Sequence, residues 1–244
     1  AGELLADENS FSGIDMARFG ESISVFLERN TIEHTSLLKY YNEALIMYRR
    51  YYQYSEIKGS SRNQYERIPE TAFREAIANA LVHRAWDIPA HTKISMFDDY
   101  IEIVSPGGLP KGLGESQYLE GQISILRNPI IGNVFFRLDI IERYGTGIQR
   151  IQEAYRNSVI KPQFDISEES IRIILPVIEQ NLDKLTPDEK KIYDVLQFNA
   201  LSSGKLVEYT GFGKTKVLQI VNKLVNSGFL RKQGIGRGTT YTVK

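Results

Sequence analysis

The sequence pattern changes near residue 184, and this change constrains the fold more than any other feature of the chain. Before it, helical and strand patterns alternate; after it, three short helical patterns lead to two β-prone runs joined by Gly234-Ile-Gly-Arg-Gly238. A chain of 244 residues has room for two domains at usual domain sizes. We therefore predict domains at residues 1–180 and 181–244, joined through Glu179–Lys184.

The composition is that of a folded globular protein, with 42% hydrophobic and 25% charged residues. The longest apolar runs fall far short of the roughly 18–20 residues that span a bilayer, so neither a membrane protein nor a secreted one is indicated. The absence of cysteine excludes disulfides, zinc–thiolate sites and iron–sulfur clusters. We expect a cytoplasmic protein.

Charge is unevenly divided along a chain whose 30 basic and 30 acidic residues cancel. Residues 184–244 contain eleven Lys and Arg against four Asp and Glu, a surplus of +7, which leaves −7 on residues 1–183. Such asymmetry is typical of a module that faces nucleic acid, although a lysine-rich solvated surface would give the same count.

The C-terminal pattern is typical of a winged helix-turn-helix domain. Helical segments over residues 187–199, 203–210 and 214–227 precede a hairpin formed by Phe229–Gln233 and Thr239–Val243. The order resembles the winged-helix domains of bacterial transcription regulators and predicts double-stranded DNA as partner, although some winged helices bind proteins instead. The residues that we predict to contact DNA are Lys214, Thr215, Lys216, Gln219, Arg231, Lys232 and Arg237.

A polar row marks the helix predicted from Pro69 to about Arg84. Glu75, Asn79 and His83 recur at intervals of four residues and so share one helix face. A carboxylate there could act as a general base, and an amide oxygen could bind Mg²⁺. Alternatively, the row makes local hydrogen bonds and His83 interacts with the helix C-terminus.

The remaining patterns predict a mixed α+β domain in which helices cover one sheet. We expect a long amphipathic helix, a loop, a hairpin, two further helices and a closing strand pair. After a strand-like run at Ser22–Leu27, the long helix is predicted over Thr35–Tyr54 and the loop over Lys58–Arg67. The hairpin strands are Thr92–Phe97 and Tyr100–Val104, and the two further helices are Asn128–Arg143 and Gly145–Asn157. The closing strands are Gln163–Ile166 and Ser170–Val177.

The order of these motifs resembles the superfamily of gyrase, chaperone, histidine-kinase and mismatch-repair ATPases, whose Bergerat (GHKL) fold binds ATP. The motifs are Glu75-x-x-x-Asn79, a hairpin, Ser105-Pro-Gly-Gly108, and Gly145-Thr-Gly147 opening a helix. Arg74-Glu-Ala, His83-Arg84, Asp98–Pro110, Arg127-Asn-Pro129 and Glu142–Ile148 are similar, over about residues 1–178, to bacterial transcription regulators labelled as helicase RecG-like C-terminal proteins.

The resemblance implies site residues for ATP and Mg²⁺. Glu75 matches the general base and Asn79 the Mg²⁺ ligand; the positions matching the nucleotide-lining motifs are Gly107, Gly108, Gly145, Thr146 and Gly147. Ser105 stands where working ATPases carry the aspartate that recognises adenine, so we predict a degenerate site. The family's His-Arg-Asp-Tyr reads His83-Arg84-Ala85-Trp86 here.

Together these features predict a DNA-binding transcriptional regulator, acting as a homodimer, whose ATPase-like domain is a sensor or dimerisation scaffold. Two alternatives remain: an active Mg²⁺-dependent ATPase and a protein-interaction scaffold. Helicase activity is not predicted, because Glu208 stands where a Walker A motif ending in Gly213-Lys214-Thr215 needs glycine. In the RecG-like family an Alba-type, Schlafen-like domain precedes this region, and since the chain starts without methionine we expect it to be truncated.

Overall fold

A computed structural model divides the chain into two compact units, Ala1–Ile178 and Glu179–Lys244. The structure describes residues 1–58, 61–121, 125–142, 145–156, 158, 160–178, 185–196, 199–226, 229–234 and 236–243, so the predicted linker Glu179–Lys184 lies outside the described residues. None of the helices in these ranges is long and apolar enough to cross a membrane.

The N-terminal unit is built on a mixed six-stranded sheet. The strands of this unit are β1 (Ile14–Phe19), β2 (Phe26–Ile32), β3 (Gln53–Lys58), β4 (Ser61–Glu66), β5 (Thr92–Met96), β6 (Tyr100–Pro106), β7 (Gln163–Ile166) and β8 (Ser170–Pro176). The sheet order is β2-β1-β5-β6-β8-β7, and β3 with β4 forms a separate two-stranded ribbon. Within the described strands of the large sheet, β1 and β5 pair in parallel and all other neighbours are antiparallel. The predicted mixed α+β class is therefore confirmed.

Helices bury one face of this sheet. They are α1 (Leu37–Tyr52), α2 (Glu70–Val82), α3 (Glu115–Glu120), α4 (Pro129–Arg137) and α5 (Gly147–Ala154). Helix α2 contacts β6 and β8, while α1, α4 and α5 pack against α2. Buried strand residues alternate with less buried ones along β6, as expected for a sheet with one covered face. Helix α2 is thus the central helix of the unit.

The tyrosine-rich end of α1 is core rather than surface. Tyr48 and Tyr52 are fully buried, and the Tyr48 ring stacks on Phe73 of α2 with ring centroids 4.5 Å apart. The Tyr48 hydroxyl donates to the Ile68 carbonyl oxygen, which satisfies its polar end. These rings fix α1 against the start of α2.

Several predicted elements differ from the structure. The loop expected over Lys58–Arg67 contains β4, which pairs with β3 and stacks Tyr65 on Tyr54 at 5.3 Å. The predicted helix to Arg143 ends at Arg137, and Asp139 follows with φ of 55°, a left-handed conformation that a helix cannot continue through. The strand expected near Ser22 begins only at Phe26 as β2, and β1 had no clear pattern in the sequence.

The described residues of the C-terminal unit form three α-helices and one hairpin. Its elements are α6 (Pro187–Leu196), α7 (Ser203–Thr210), α8 (Lys214–Asn226), β9 (Leu230–Gln233) and β10 (Thr240–Val243). Thr186 and Glu189 cap α6 reciprocally: each backbone N–H donates to the other's side chain, at 2.8 and 3.4 Å. Gly211, with φ of 71°, ends α7 and leads into α8. Ile192, Leu206, Val217, Val221 and Tyr241 are among the buried residues of its core.

Candidate functional site

The polar row of α2 lies against the first turn of α5. A Cβ atom added to Gly147 would lie 2.9 Å from Asn79 Nδ2 and 3.0 Å from Glu75 Oε2. Glycine at this position therefore lets the start of α5 approach the two side chains that the sequence predicted as general base and Mg²⁺ ligand. Thr146 occupies the N-cap position of α5, and its side chain does not cap the helix.

Glu75 is a buried carboxylate held by an arginine of α5. Its side chain is 9% exposed, and Arg150 donates from Nη1 to Glu75 Oε1 at 3.3 Å. Arg150 also pairs with Glu142 at 3.2 Å. Burial raises the pKa of Glu75 above its ordinary value, while the Arg150 cation opposes that rise. Sequence reasoning missed Arg150, because its partner is distant in the chain.

Two small cavities flank the α2 row. We call the first the α5 cavity: its volume is about 50 Å³, and its lining includes Glu75, Asn79, His83, Gly145 and Gly147. The second, the inner cavity, is about 10 Å³ and lies between α2 and the sheet. The α5 cavity has room for a few water molecules, whereas ligand sites usually measure about 300–1,000 Å³. A nucleotide would need this cavity to widen.

The inner cavity is lined by Ser105, Asn79 and His83, together with apolar side chains of the sheet. Ser105 is buried, and its hydroxyl donates to the Ala80 carbonyl oxygen at 2.6 Å. The oxygen lone pairs of Ser105 remain able to accept a hydrogen bond. The residue predicted to replace the adenine-binding aspartate therefore lies beside the predicted Mg²⁺ ligand.

His83 lines both cavities and is the third member of the α2 row. Its Nδ1 atom is buried and has no hydrogen-bond partner among the described residues. Burial lowers the pKa of His83 to about 4, and the nearby Arg127 cation acts in the same direction. His83 is therefore neutral near pH 7 and has a ring nitrogen available for a ligand or a water molecule.

Gly107 and Gly108 have a structural role that the sequence did not reveal. Their N–H groups donate to the carbonyl oxygens of Glu169 and Glu168, at 2.7 and 3.0 Å. A Cβ atom at Gly108 would lie 2.3 Å from the Ser167 carbonyl oxygen. In this structure these N–H groups are thus occupied, and neither glycine lines the α5 cavity or the inner cavity.

Arg84, the residue after His83, is a buried arginine that donates hydrogen bonds to three loop carbonyl oxygens. It is 1% exposed and donates to the carbonyl oxygens of Ser12, Gly13 and Ala90, at 2.8, 2.9 and 2.6 Å. Its guanidinium carbon lies 4.1 Å from the centroid of the Trp86 ring. Burial lowers the pKa of Arg84 to about 10, so the side chain stays charged at neutral pH.

The residues predicted to contact DNA lie on the surface of the C-terminal unit. Those whose side chains are described are all exposed, namely Lys214, Thr215, Lys216 and Gln219 on α8, and Arg231 and Lys232 on β9. Lys216 is partly neutralised, because its Nζ lies 2.6 Å from Asp188 Oδ2 and 4.3 Å from the centroid of the Phe212 ring. The side chain of Arg237 lies outside the described residues.

Comparison with known proteins supports an ATPase-like domain in the N-terminal unit. Residues 90–175 match the family model described as "Putative ATP-dependent DNA helicase recG C-terminal". This match covers β5 through most of β8, the part of the sheet that flanks the inner cavity. No curated protein matches the sequence.

A solved structure shows a similar fold. The DIP2311 protein from Corynebacterium diphtheriae superposes with a TM-score of 0.61 over 99% of this chain, at 15% sequence identity. The chain spans about half of that protein, since the match covers 52% of its length. At this level of identity the likeness concerns the fold alone.

Proposed function

We propose that the protein is a DNA-binding transcriptional regulator whose C-terminal unit is a winged helix. The observation that carries this proposal is the exposure of Lys214, Gln219, Arg231 and Lys232 on α8 and on the hairpin that follows it. A helix of this kind fits the major groove of DNA, and cations on the hairpin can contact phosphates.

The direct test is to titrate the full chain with duplex DNA at salt concentrations from 50 to about 200 mM. Phosphate contacts release counterions, so the proposal requires an affinity that falls steeply as salt rises. An affinity for DNA that does not depend on salt, or no affinity at all, would instead favour the protein-interaction scaffold.

We further propose that the ATPase-like domain senses a nucleotide or another phosphorylated ligand at the α5 cavity. The residues present support this: Asn79 contributes an amide oxygen, a donor of the kind that binds Mg²⁺, and Mg²⁺ usually takes its remaining ligands from phosphate and water. Glu75, the predicted general base, lines the same cavity. The turn at Gly145–Gly147 leads directly into the N-terminus of α5, which favours negative charge. Adenine would have to extend from the α5 cavity into the inner cavity, where Ser105 would accept its hydrogen bond.

The sensing mechanism we propose acts through a homodimer. A ligand at the α5 cavity would change the spacing of the two winged helices, and that spacing determines which pairs of DNA half-sites can be bound. Sedimentation of the full chain, with and without the ligand, tests the homodimer.

Nucleotide binding is expected to raise the melting temperature of the protein in the presence of Mg²⁺ and a non-hydrolysable ATP analogue. The substitution Gly147→Ala should remove at least half of that rise, because its Cβ would crowd Asn79 and Glu75. Gly204→Ala is the matched control, since a Cβ there meets nothing closer than Ser202 Oγ at 3.8 Å. No rise in the unsubstituted protein at millimolar nucleotide would leave the domain as a scaffold.

A second candidate function is Mg²⁺-dependent ATP hydrolysis, favoured by the burial and raised pKa of Glu75 beside Asn79. If the protein hydrolyses ATP, Glu75→Ala should lower magnesium-dependent phosphate release by about 100-fold, a usual contribution of a general base. Equal release from the variant and the parent protein would show that Glu75 is not the base.

A further inference from the structure

Helix α8 exposes a stripe of neutral hydrogen-bonding side chains, which we call the amide stripe. It consists of Thr215, Gln219, Asn222 and Asn226, all exposed and spaced by four, three and four residues. With about 3.6 residues per turn, this spacing places them along one side of the helix. The buried residues Val217, Val221 and Leu224 lie on the opposite side.

The side chains of the amide stripe have no polar partner in the described part of the protein. The side chains of Thr215, Gln219, Asn222 and Asn226 make no hydrogen bond or ion pair there. The lysines on the neighbouring side of α8 differ: Lys216 pairs with Asp188 and Lys223 with Glu189, each at 2.6 Å. The two lysines beside the stripe are thus paired with carboxylates, whereas the side chains of the stripe itself have no partner among the described residues.

We propose that Gln219 and Asn222 read adenine bases in the major groove, so that each half-site carries A·T pairs opposite them. This inference rests on the proposed DNA binding and assigns its sequence preference. A side-chain amide offers one donor and one acceptor, which match the N7 acceptor and N6 donor on the major-groove edge of adenine. Guanine presents two acceptors at that edge and cannot pair with both groups of the amide in the same way.

DNA fits the amide stripe better than a protein partner does. Protein interfaces depend on buried aromatic and large apolar anchors. Within the described part of the C-terminal unit, Tyr209 on α7 is the large hydrophobic side chain that is mostly exposed, and α8 presents none. Residues 184–244 also carry a surplus of +7, which suits a polyanion.

The test selects binding sites from a library of 20-base-pair duplexes with a randomised sequence, using the full-length chain. The unsubstituted protein should enrich sites with A·T pairs at fixed positions. The Asn222→Ala and Gln219→Ala variants should each lose about 10- to 100-fold of the preference for A·T over G·C at one position, the discrimination given by one bidentate contact. Their salt dependence should stay unchanged, because neither residue is charged.

Asn199→Ala is the matched control, since Asn199 is an exposed asparagine of the same unit outside α8. It should keep the site preference of the unsubstituted protein, and all three variants should melt normally. If Asn222→Ala and Gln219→Ala select the same sites with the same discrimination, the amide stripe does not read bases, although DNA binding stands. If the unsubstituted protein binds no member of the library at low salt, the proposed function fails and this inference falls with it.

Discussion

Replacing Lys214, Arg231 and Lys232 together by alanine is expected to weaken DNA binding more at low salt than at high salt. The loss of affinity relative to the unsubstituted protein should be about 500-fold larger at 0.1 M salt than at 1 M salt. Each phosphate contact contributes about 0.9 to the slope of log affinity against log salt, so three lost contacts lower the slope by about 2.7. The three side chains are exposed and lie at the start of α8 and on β9. Fluorescence anisotropy with a labelled duplex, measured across a salt series, gives both quantities.

The matched control for this experiment replaces Lys39, Lys111 and Arg137 by alanine. These residues are exposed cations of the N-terminal unit, so the variant has the same change in net charge. Its salt slope should equal that of the unsubstituted protein. Equal losses in both variants would mean that overall charge, rather than the surface formed by α8 and β9, determines DNA affinity.

The substitution Arg84→Met is expected to lower the free energy of unfolding by about 3 kcal/mol. A buried carbonyl that loses its donor costs about 1–3 kcal/mol. Gly13 is buried, whereas Ser12 and Ala90 are more accessible and regain water in part. The three carbonyls belong to Ser12, Gly13 and Ala90, so the substitution would loosen the loop before β1 and the loop before β5 together. Methionine keeps an apolar stem against Trp86 but supplies no donor. Urea unfolding followed by circular dichroism measures the change.

Arg29→Met is the matched control for Arg84. Arg29 forms an ion pair with Asp15 at 2.8 Å, but its side chain is 59% exposed. Because exposed ion pairs contribute little to stability, this variant should unfold at nearly the same urea concentration as the unsubstituted protein. If the two variants unfolded alike, the hydrogen bonds of the buried Arg84 side chain would not be what stabilises these loops.

At the candidate site, the sequence motifs predicted the α2 row but not the arginine that pairs with it. Glu75, Asn79 and His83 share a helix face because they are spaced by four residues, and this is visible in the sequence. The approach of Glu75 and Asn79 to Gly147 is consistent with the predicted site. The pairing of Glu75 with Arg150 joins residues 75 positions apart, and no local pattern encodes it.

Elements with a local cause were predictable from the chain alone. Helices α2, α6, α7 and α8 and the β5–β6 and β9–β10 hairpins lie where periodicity, caps and glycine turns predicted them, because these signals act over a few residues. Strand β4 was missed because its polar sequence resembles a loop until β3 pairs with it.

The sequence by itself determined the mixed α+β class, the row of Glu75, Asn79 and His83, and the basic character of the C-terminal segment, since each depends on residue order alone. Only the tertiary structure decided which of these groups are available. Packing occupies the N–H groups of Gly107 and Gly108 with the turn before β8, and it pairs Lys216 with Asp188. Among the described residues, it also leaves the side-chain amides of α8 without partners. Hydrogen bonds and ion pairs are exclusive, so a group's function depends on which neighbours the fold brings to it.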